Sequence, residues 1–463
     1  MTYQRPLAVA LLSLGLWMGL QPECQGQEVS PEVRWLQGYL RIDTSNPPGD
    51  EFLGAGYLAR LLHSQGIAAS FLVTPEGRTS LYARLPATRG LERRPALLLV
   101  HHIDVVPAEG KWDFDPFSGE LRDGFVLGRG AVDVKSLGIA QLAAFLALAK
   151  SPEPRDRDVV LLAVADEENG GGRGTRWVLE HHGDLVSDVG LVLNEGGANK
   201  VVNGRLLWWG IEVAQKRPLW LRVRARGRAG HASGHQPWSA THDLLRGLGS
   251  LLALPEEYRV SPPVREYLAA LAPLQPPSMA KRFAQIDEVV GPDGLTKKLY
   301  PGMTGLFVDT VQVTVLRAGE RINTISATAS ADIDVRLLPD TDADRFLERI
   351  RQALGKDLRV EVLVTSPEVA PSPIDTEPYR VLAASLKPEA PVIPTFISGF
   401  TDSRYFRERG IPAYGFSPFL FEPQVLVGIH NANEKIPVDA FDRGVARMKA
   451  AVRALVTPSE TAR

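Results

Sequence analysis

Cysteine is nearly absent: Cys24 is the only one in 463 residues. An intramolecular disulfide is therefore excluded, and a thiolate metal cluster or cysteine nucleophile would rest on one residue near the N-terminus. Excess charge is absent too. Lys and Arg total 52 against 54 Asp and Glu, a formal net charge of -2, so the chain as a whole does not attract nucleic acid or anionic lipid. The 42 Gly and 35 Pro form no collagen period and no long tract, and a chain 44% hydrophobic and 23% charged is not disordered throughout. One apolar run stands out. Residues 6–20, PLAVALLSLGLWMGL, follow Arg5 without a charge, yet a membrane span needs about 20 residues. The run reads as a signal peptide cut after Gly26, leaving a cysteine-free mature chain with no stable transmembrane span. The expected location is secreted or periplasmic, with a lipidated Cys24 or retained N-terminal anchor as alternatives.

At about 150 residues per domain the length suits three units or two large ones. Periodicity predicts a helix over 29–40, a turn at TSNPPG (44–49) and more helix over 56–62. Strands are expected at 68–74, 81–85, 96–100, 158–165 and 189–193. A helix over 139–149 lacks a strong polar stripe and should be covered. Apolar strands alternating with helices favour an α/β sheet. The pattern then changes. Residues 221–225 alternate apolar and basic side chains, a helix follows over 239–253, strands over 311–316 and 328–335, a helix over 341–354 and a strand over 358–364. This order resembles a split βαβ sandwich inserted in the main domain. The poorly periodic stretch 255–301 reads as an elaboration of the insert, and PEVAPSP (367–373) as the hinge back. Segments 380–398 and 413–416 complete the main sheet.

Acidic and histidine-bearing segments fall at predicted strand ends and in loops: HHIDVVP (101–107), GRGAVDVK (128–135), ADEENGGG (165–172), LNEGG (193–197) and GIHNANEKIPV (428–438). Polar groups gathered beyond the carboxyl ends of strands form the active site of open α/β folds. His, Asp and Glu from separate strand ends can share a metal, and a ligand set without sulfur suits zinc or a harder cation.

Together with GRAGHAS (227–233) and TDSRYF (401–406), these stretches resemble the zinc-dependent M20 amidohydrolase and peptidase family. They are most similar to its carboxypeptidase S and secreted N-acyl-amino-acid hydrolase branch. The resemblance implies an α/β main zinc-hydrolase sheet domain with an inserted α+β split βαβ lid or dimerisation domain. The expected limits are 1–26 for the signal peptide, 27–208 and 373–463 for the catalytic domain, and 209–372 for the insert.

The resemblance also implies a site with two divalent metal ions per chain: zinc first, with cobalt and manganese left open. Their ligands would be His102, Asp133, Glu168, Glu195 and His430, with Asp133 bridging. Glu167 would be the general base, Asp104 would orient the His102 imidazole, and His231 would stabilise the oxyanion, sometimes across a homodimer interface. Arg404 and Asn323 would bind substrate, Arg404 through a bidentate pair with its carboxylate. His101 stays structural. A cis peptide is implied after Asp133, although Val134 stands where a second Asp is common, and NTIS (323–326) replaces a frequent Asn-Val-Ile-Pro pattern.

The implied activity is hydrolysis of the amide bond in an N-acyl amino acid or short peptide with a free carboxylate. Peptide-preferring carboxypeptidases and dipeptidases are the neighbouring alternative. A noncatalytic binding protein on the same fold would lack a ligand or the base, and none is missing. RVRARGR (222–228) alternates on one strand face and makes no case for nucleic acid as a partner.

Overall fold

The computed structural model describes residues 28–88, 93–290 and 303–458. The expected signal segment and Cys24 lie outside the described residues.

The most apolar stretches become the centre of a nine-stranded mixed sheet. Ala96–His102 lies between Val159–Val164 and Val189–Asn194 and is parallel to both. These strands are buried nearly end to end, which is why they read as continuous apolar runs and not as alternation. Thr79–Leu85 and Ala69–Val73 add antiparallel strands on one flank. On the other flank come Ala413–Gly415, Arg205–Gln215 and Val392–Ile397. The helix Lys135–Lys150 has almost no exposed residue. The sheet lies on one side of it, and the helices Val438–Val456 and Pro31–Leu40 pack on it elsewhere. That accounts for its missing polar stripe.

A second, four-stranded sheet is antiparallel throughout: Thr310–Ala318, Thr328–Leu337, Arg217–Arg226, Arg359–Thr365. The helices Ala240–Leu252 and Ala343–Leu354 cover one face and close a separate core around Leu221, Val223, Ile333, Val335 and Ile350. In chain order the strands lie fourth, first, third, second, the split βαβ arrangement expected of the smaller body.

Two expectations are corrected. The 208/209 limit falls inside the strand Arg205–Gln215, which belongs to the main sheet and buries Trp208 and Trp209 in the main core. Within the stretch 255–301, the described helices pack in the main body and not in the core of the insert. The helices Pro262–Leu271 and Pro277–Ala284 bury Val264, Leu268, Leu271 and Phe283 in the main core. Prolines dilute the apolar period there, so the amphipathic faces were not legible.

Candidate metal centre

Three chain reversals beyond the central parallel strands carry the acidic chemistry. His102 ends the first strand. Glu167 and Glu168 form a single 3-10 turn, Glu167–Asn169, after the second, and Glu195 directly follows the third. Asp133 sits just before the helix Lys135–Lys150, and the Asp133–Val134 peptide is cis. His430 arrives from the distant turn preceding the strand Lys435–Pro437. The two oxygens of Asp133 face different histidines: Oδ1 lies 3.2 Å from His102 Nε2, and Oδ2 lies 3.2 Å from His430 Nε2. Glu195 Oε1 is 3.8 Å from His102 Nε2, and Glu168 Oε2 is 3.2 Å from His430 Nε2. The structure thus brings together all five expected ligands around a central Asp133, with Glu167 beside His102 and Glu195.

Chemically, this donor set fits cations. Tetrahedral zinc, with bonds of about 2.0–2.1 Å, holds its donors about 3.3 Å apart, close to the spacing of the two histidine–aspartate pairs. The Nδ1 of His102 lies 2.8 Å from the Asp104 carbonyl oxygen. A carbonyl only accepts, so Nδ1 carries the proton and Nε2 presents its lone pair to the centre. Glu167 Oε1 and Glu168 Oε1 are buried without a hydrogen-bond partner, a costly state for a carboxylate unless another charge meets it. Burial first, then the negative charge of neighbouring carboxylates, holds Glu167 well above the usual carboxylate range and Glu195 at about 8. Hydrogen bonds donated to Asp133 and Glu168 raise His430 to about 10. For Asp133, burial is outweighed by the two histidines, which keep it below its ordinary value. Crowded acids holding protons, beside imidazoles that gain them, are what divalent cations displace.

The family model for peptidase family M20/M25/M40 matches residues 98–454. This chain belongs to that family. It is 28% identical over 428 residues to rat aminoacylase-1B, covering 90% of this chain and 94% of the relative. It is 28% identical over 365 residues to the N-fatty-acyl-amino acid synthase/hydrolase PM20D1 of Xenopus tropicalis, covering 74% of this chain and 69% of the relative. Human carnosine dipeptidase 1 superposes with a TM-score of 0.70 at 17% identity, over 92% of this chain and 96% of that one, which shows the shared fold alone. The M20 protein is therefore a metal-dependent hydrolase with a dinuclear donor set. The secreted or periplasmic location is corrected by the same comparison, because the aminoacylase-1 relatives are cytosolic enzymes. An apolar run of 15 residues is a compositional signal, and apolarity by itself does not specify an address. Among the described residues no helix is long and apolar enough to cross a membrane.

Around the M20 centre, Asp104 acts differently from expectation. Its backbone carbonyl, not its carboxylate, orients His102; the carboxylate lies 3.8 Å from the imidazole. That carboxylate instead accepts from the backbone N–H groups of Glu167 and Glu168, each at 3.1 Å, and so fixes the turn carrying both glutamates. Asn46, from the TSNPPG turn, donates to Asp104 at 2.8 Å and to Asp166 at 3.2 Å. Arg78 joins Asp166 to Glu51, all three buried. Sequence reading missed Asn46 and Arg78; an Asn opening a double-proline turn is the only local signal of the former.

The substrate-facing expectations separate. His231 is exposed on the strand Gly230–His231, and Asn323 is exposed beside it, its carbonyl accepting from Ala232 N–H. Neither touches the metal donors. Arg404 is 1% exposed, donates to the Gly170 carbonyl at 2.6 Å and lies 4.3 Å over the Phe400 ring, with its Nε buried and without a hydrogen-bond partner. Through the Gly170 carbonyl this buried guanidinium braces the Glu167–Gly170 turn. Arg336, unnoticed in the sequence, stands 4.3 Å from the same Phe400 ring, is partly exposed, and donates from Nε and Nη2 to the two oxygens of Asp334 at 2.7 and 2.8 Å. His101 is fully buried, bonded to Gln141 and depressed to about 3 by burial, a structural histidine.

Proposed function

We propose that the protein hydrolyses the amide bond of N-acyl amino acids with a free carboxylate, as a relative of the carboxypeptidase S and N-acyl-amino-acid hydrolase branch. The observation that carries this reading is Glu167: a buried carboxylate with one unpartnered oxygen, beside the metal donors on a turn fixed by Asp104. The names of the relatives, aminoacylase-1B and an N-fatty-acyl-amino acid synthase/hydrolase, support the substrate class.

When bound, two divalent cations supply carbonyl polarisation and a lowered pKa for water. Glu167 accepts the proton of the attacking water and delivers it to the departing nitrogen. The new C–O bond and the broken C–N bond yield a carboxylic acid and an amino acid. At His231, the Ser233 backbone N–H donates to Nδ1, so the free Nε2–H is the donor offered to the tetrahedral oxyanion once the inserted sheet closes. In this reading Arg336, partly exposed and paired with Asp334, turns to the substrate carboxylate, with Asn323 as a further contact.

The test is one amino acid presented with acetyl, medium-chain and long-chain acyl groups and as short peptides, each free and carboxyl-amidated, using metal-loaded protein. Turnover of free N-acyl forms well above their amides supports the reading. Equal turnover of free and amidated forms, or hydrolysis of peptides only, refutes it.

A further inference from the structure

The catalytic reading uses only Arg336 on the open face of the inserted sheet and leaves the rest of that face unassigned. Register across its four strands places Arg317 opposite Ser330, Ser330 opposite Arg224, and Arg224 opposite Arg359. One row thus carries three guanidinium groups, on the face opposite the covering helices. The next row carries Arg222, Asp332 and Glu361 and offsets part of this charge: Asp332 holds Arg222 at 2.6 Å and lies 3.7 Å from Arg317, and Glu361 reaches Arg224 at 3.2 Å. Arg359, and Arg226 and Arg321 nearby, have no ion pair among the described residues. A groove of about 1080 Å³ runs beside the row, lined by Arg224, Arg226, Arg317 and Arg321 with a single acid, Glu320. Its wall includes Thr324, the strand partner of His231.

This surplus of positive charge stands on a chain of net charge -2. Trp220, four residues before Arg224 on the same strand, packs on Phe400 with ring centroids 5.6 Å apart. At about 3.4 Å per residue the arginine row lies about 14 Å from that contact.

We propose that the row is an electropositive approach surface for substrates of net negative charge, favouring N-acyl amino acids over peptides. N-acylation removes the ammonium and leaves the carboxylate, so an N-acyl amino acid approaches as an anion and a dipeptide as a neutral zwitterion. The inference rests on the amide-hydrolase reading of the metal centre and names its substrate class by charge.

The Debye length is about 30 Å at 10 mM ionic strength and about 10 Å at 0.1 M, so the attraction spans the cleft only at low salt. Three or four surplus charges at about 15 Å in water raise kcat/KM for a monoanion about two- to threefold, and for a dianion about five- to tenfold. The experiment measures kcat/KM for the N-acetyl, N-succinyl and glycyl derivatives of one amino acid at 10 and 300 mM ionic strength, with metal-loaded protein. The wild type is compared with the triple variants Arg224→Gln/Arg317→Gln/Arg359→Gln and Arg224→Lys/Arg317→Lys/Arg359→Lys. The wild type should lose the graded advantage at high salt, most for the succinyl compound, while the dipeptide changes less than about twofold. The Gln variant should lack that salt dependence and the Lys variant keep it. One salt dependence for all three substrates, or one that survives in the Gln variant, overturns the approach surface while leaving amide hydrolysis standing. Turnover of the dipeptide alone overturns the N-acyl reading itself.

Discussion

Glu434→Gln tests how the centre is held. Glu434 is fully buried and reaches from the His430 turn into the GRGAVDVK loop. Its Oε2 accepts from Gly130 N–H and from Arg129 Nη1, both at 2.8 Å. Its Oε1 accepts from Val132 N–H at 2.7 Å and Asp133 N–H at 3.0 Å. Four donors converge on one carboxylate, and glutamine offers a single acceptor oxygen. Whichever way the amide is placed, its NH2 faces two donors. An unsatisfied buried donor costs about 1–3 kcal/mol, and breaking a buried charge pair about 3–5 kcal/mol, so the variant should lose about 3–5 kcal/mol of stability. The same loop carries Asp133, and supporting residues of this type are worth about 10–100-fold in metal affinity. Chelator competition and denaturant unfolding, on loaded and stripped protein, measure both quantities. A chelator curve and an unfolding midpoint identical to the wild type would refute the reasoning. Lost stability with unchanged affinity would show that Glu434 anchors the fold without shaping the site.

Glu167→Gln should keep two metals by elemental analysis and lose about 10²–10⁴-fold in kcat; unchanged turnover at equal metal content removes Glu167 as the base. For metal-stripped protein the pH dependence has a defined sign. His430 is raised to about 10 by Asp133 and Glu168, so its stabilising contribution is complete below about pH 6.5 and is lost as pH rises through 10. Unfolding midpoints across that window should show the decline, and zinc affinity should climb over the same range as the proton becomes easier to displace. A profile identical in His430→Ala would dispose of this assignment. Gly138→Ala should lose about 1–3 kcal/mol by overpacking, because a Cβ there would lie 2.4 Å from His101 Cδ2; a denaturation curve matching wild type would show that the helix yields. Arg336→Ala should erase the preference for free over amidated substrates, whereas Arg404→Ala should chiefly lower the unfolding midpoint. The reverse pattern would restore Arg404 as the clamp.

The sequence by itself determined the parts whose signal is local. Strands buried on both faces, such as Ala96–His102 and Val159–Val164, must be continuous apolar runs, and their ends are marked by His102, Glu167 and Glu168 in short motifs. Asp133, Glu195 and His430 stood out through the family resemblance of their short loop motifs, and the structure gathers them with His102. The tertiary structure decided everything that depends on which distant group a side chain meets. Asp104 and Arg404 were identified as site residues, but their partners, the N–H groups of Glu167 and Glu168 and the Gly170 carbonyl, lie across the sheet or more than 200 positions away in the chain. Nor does spacing reveal that Asn46 and Glu434, from opposite ends of the chain, brace adjoining loops. The arginine row illustrates the limit most clearly. Each arginine shows in the sequence as one exposed side chain of a strand, but only antiparallel register places Arg317, Arg224 and Arg359 side by side, because strand pairing is fixed by the common core beneath and not by the residues it aligns above.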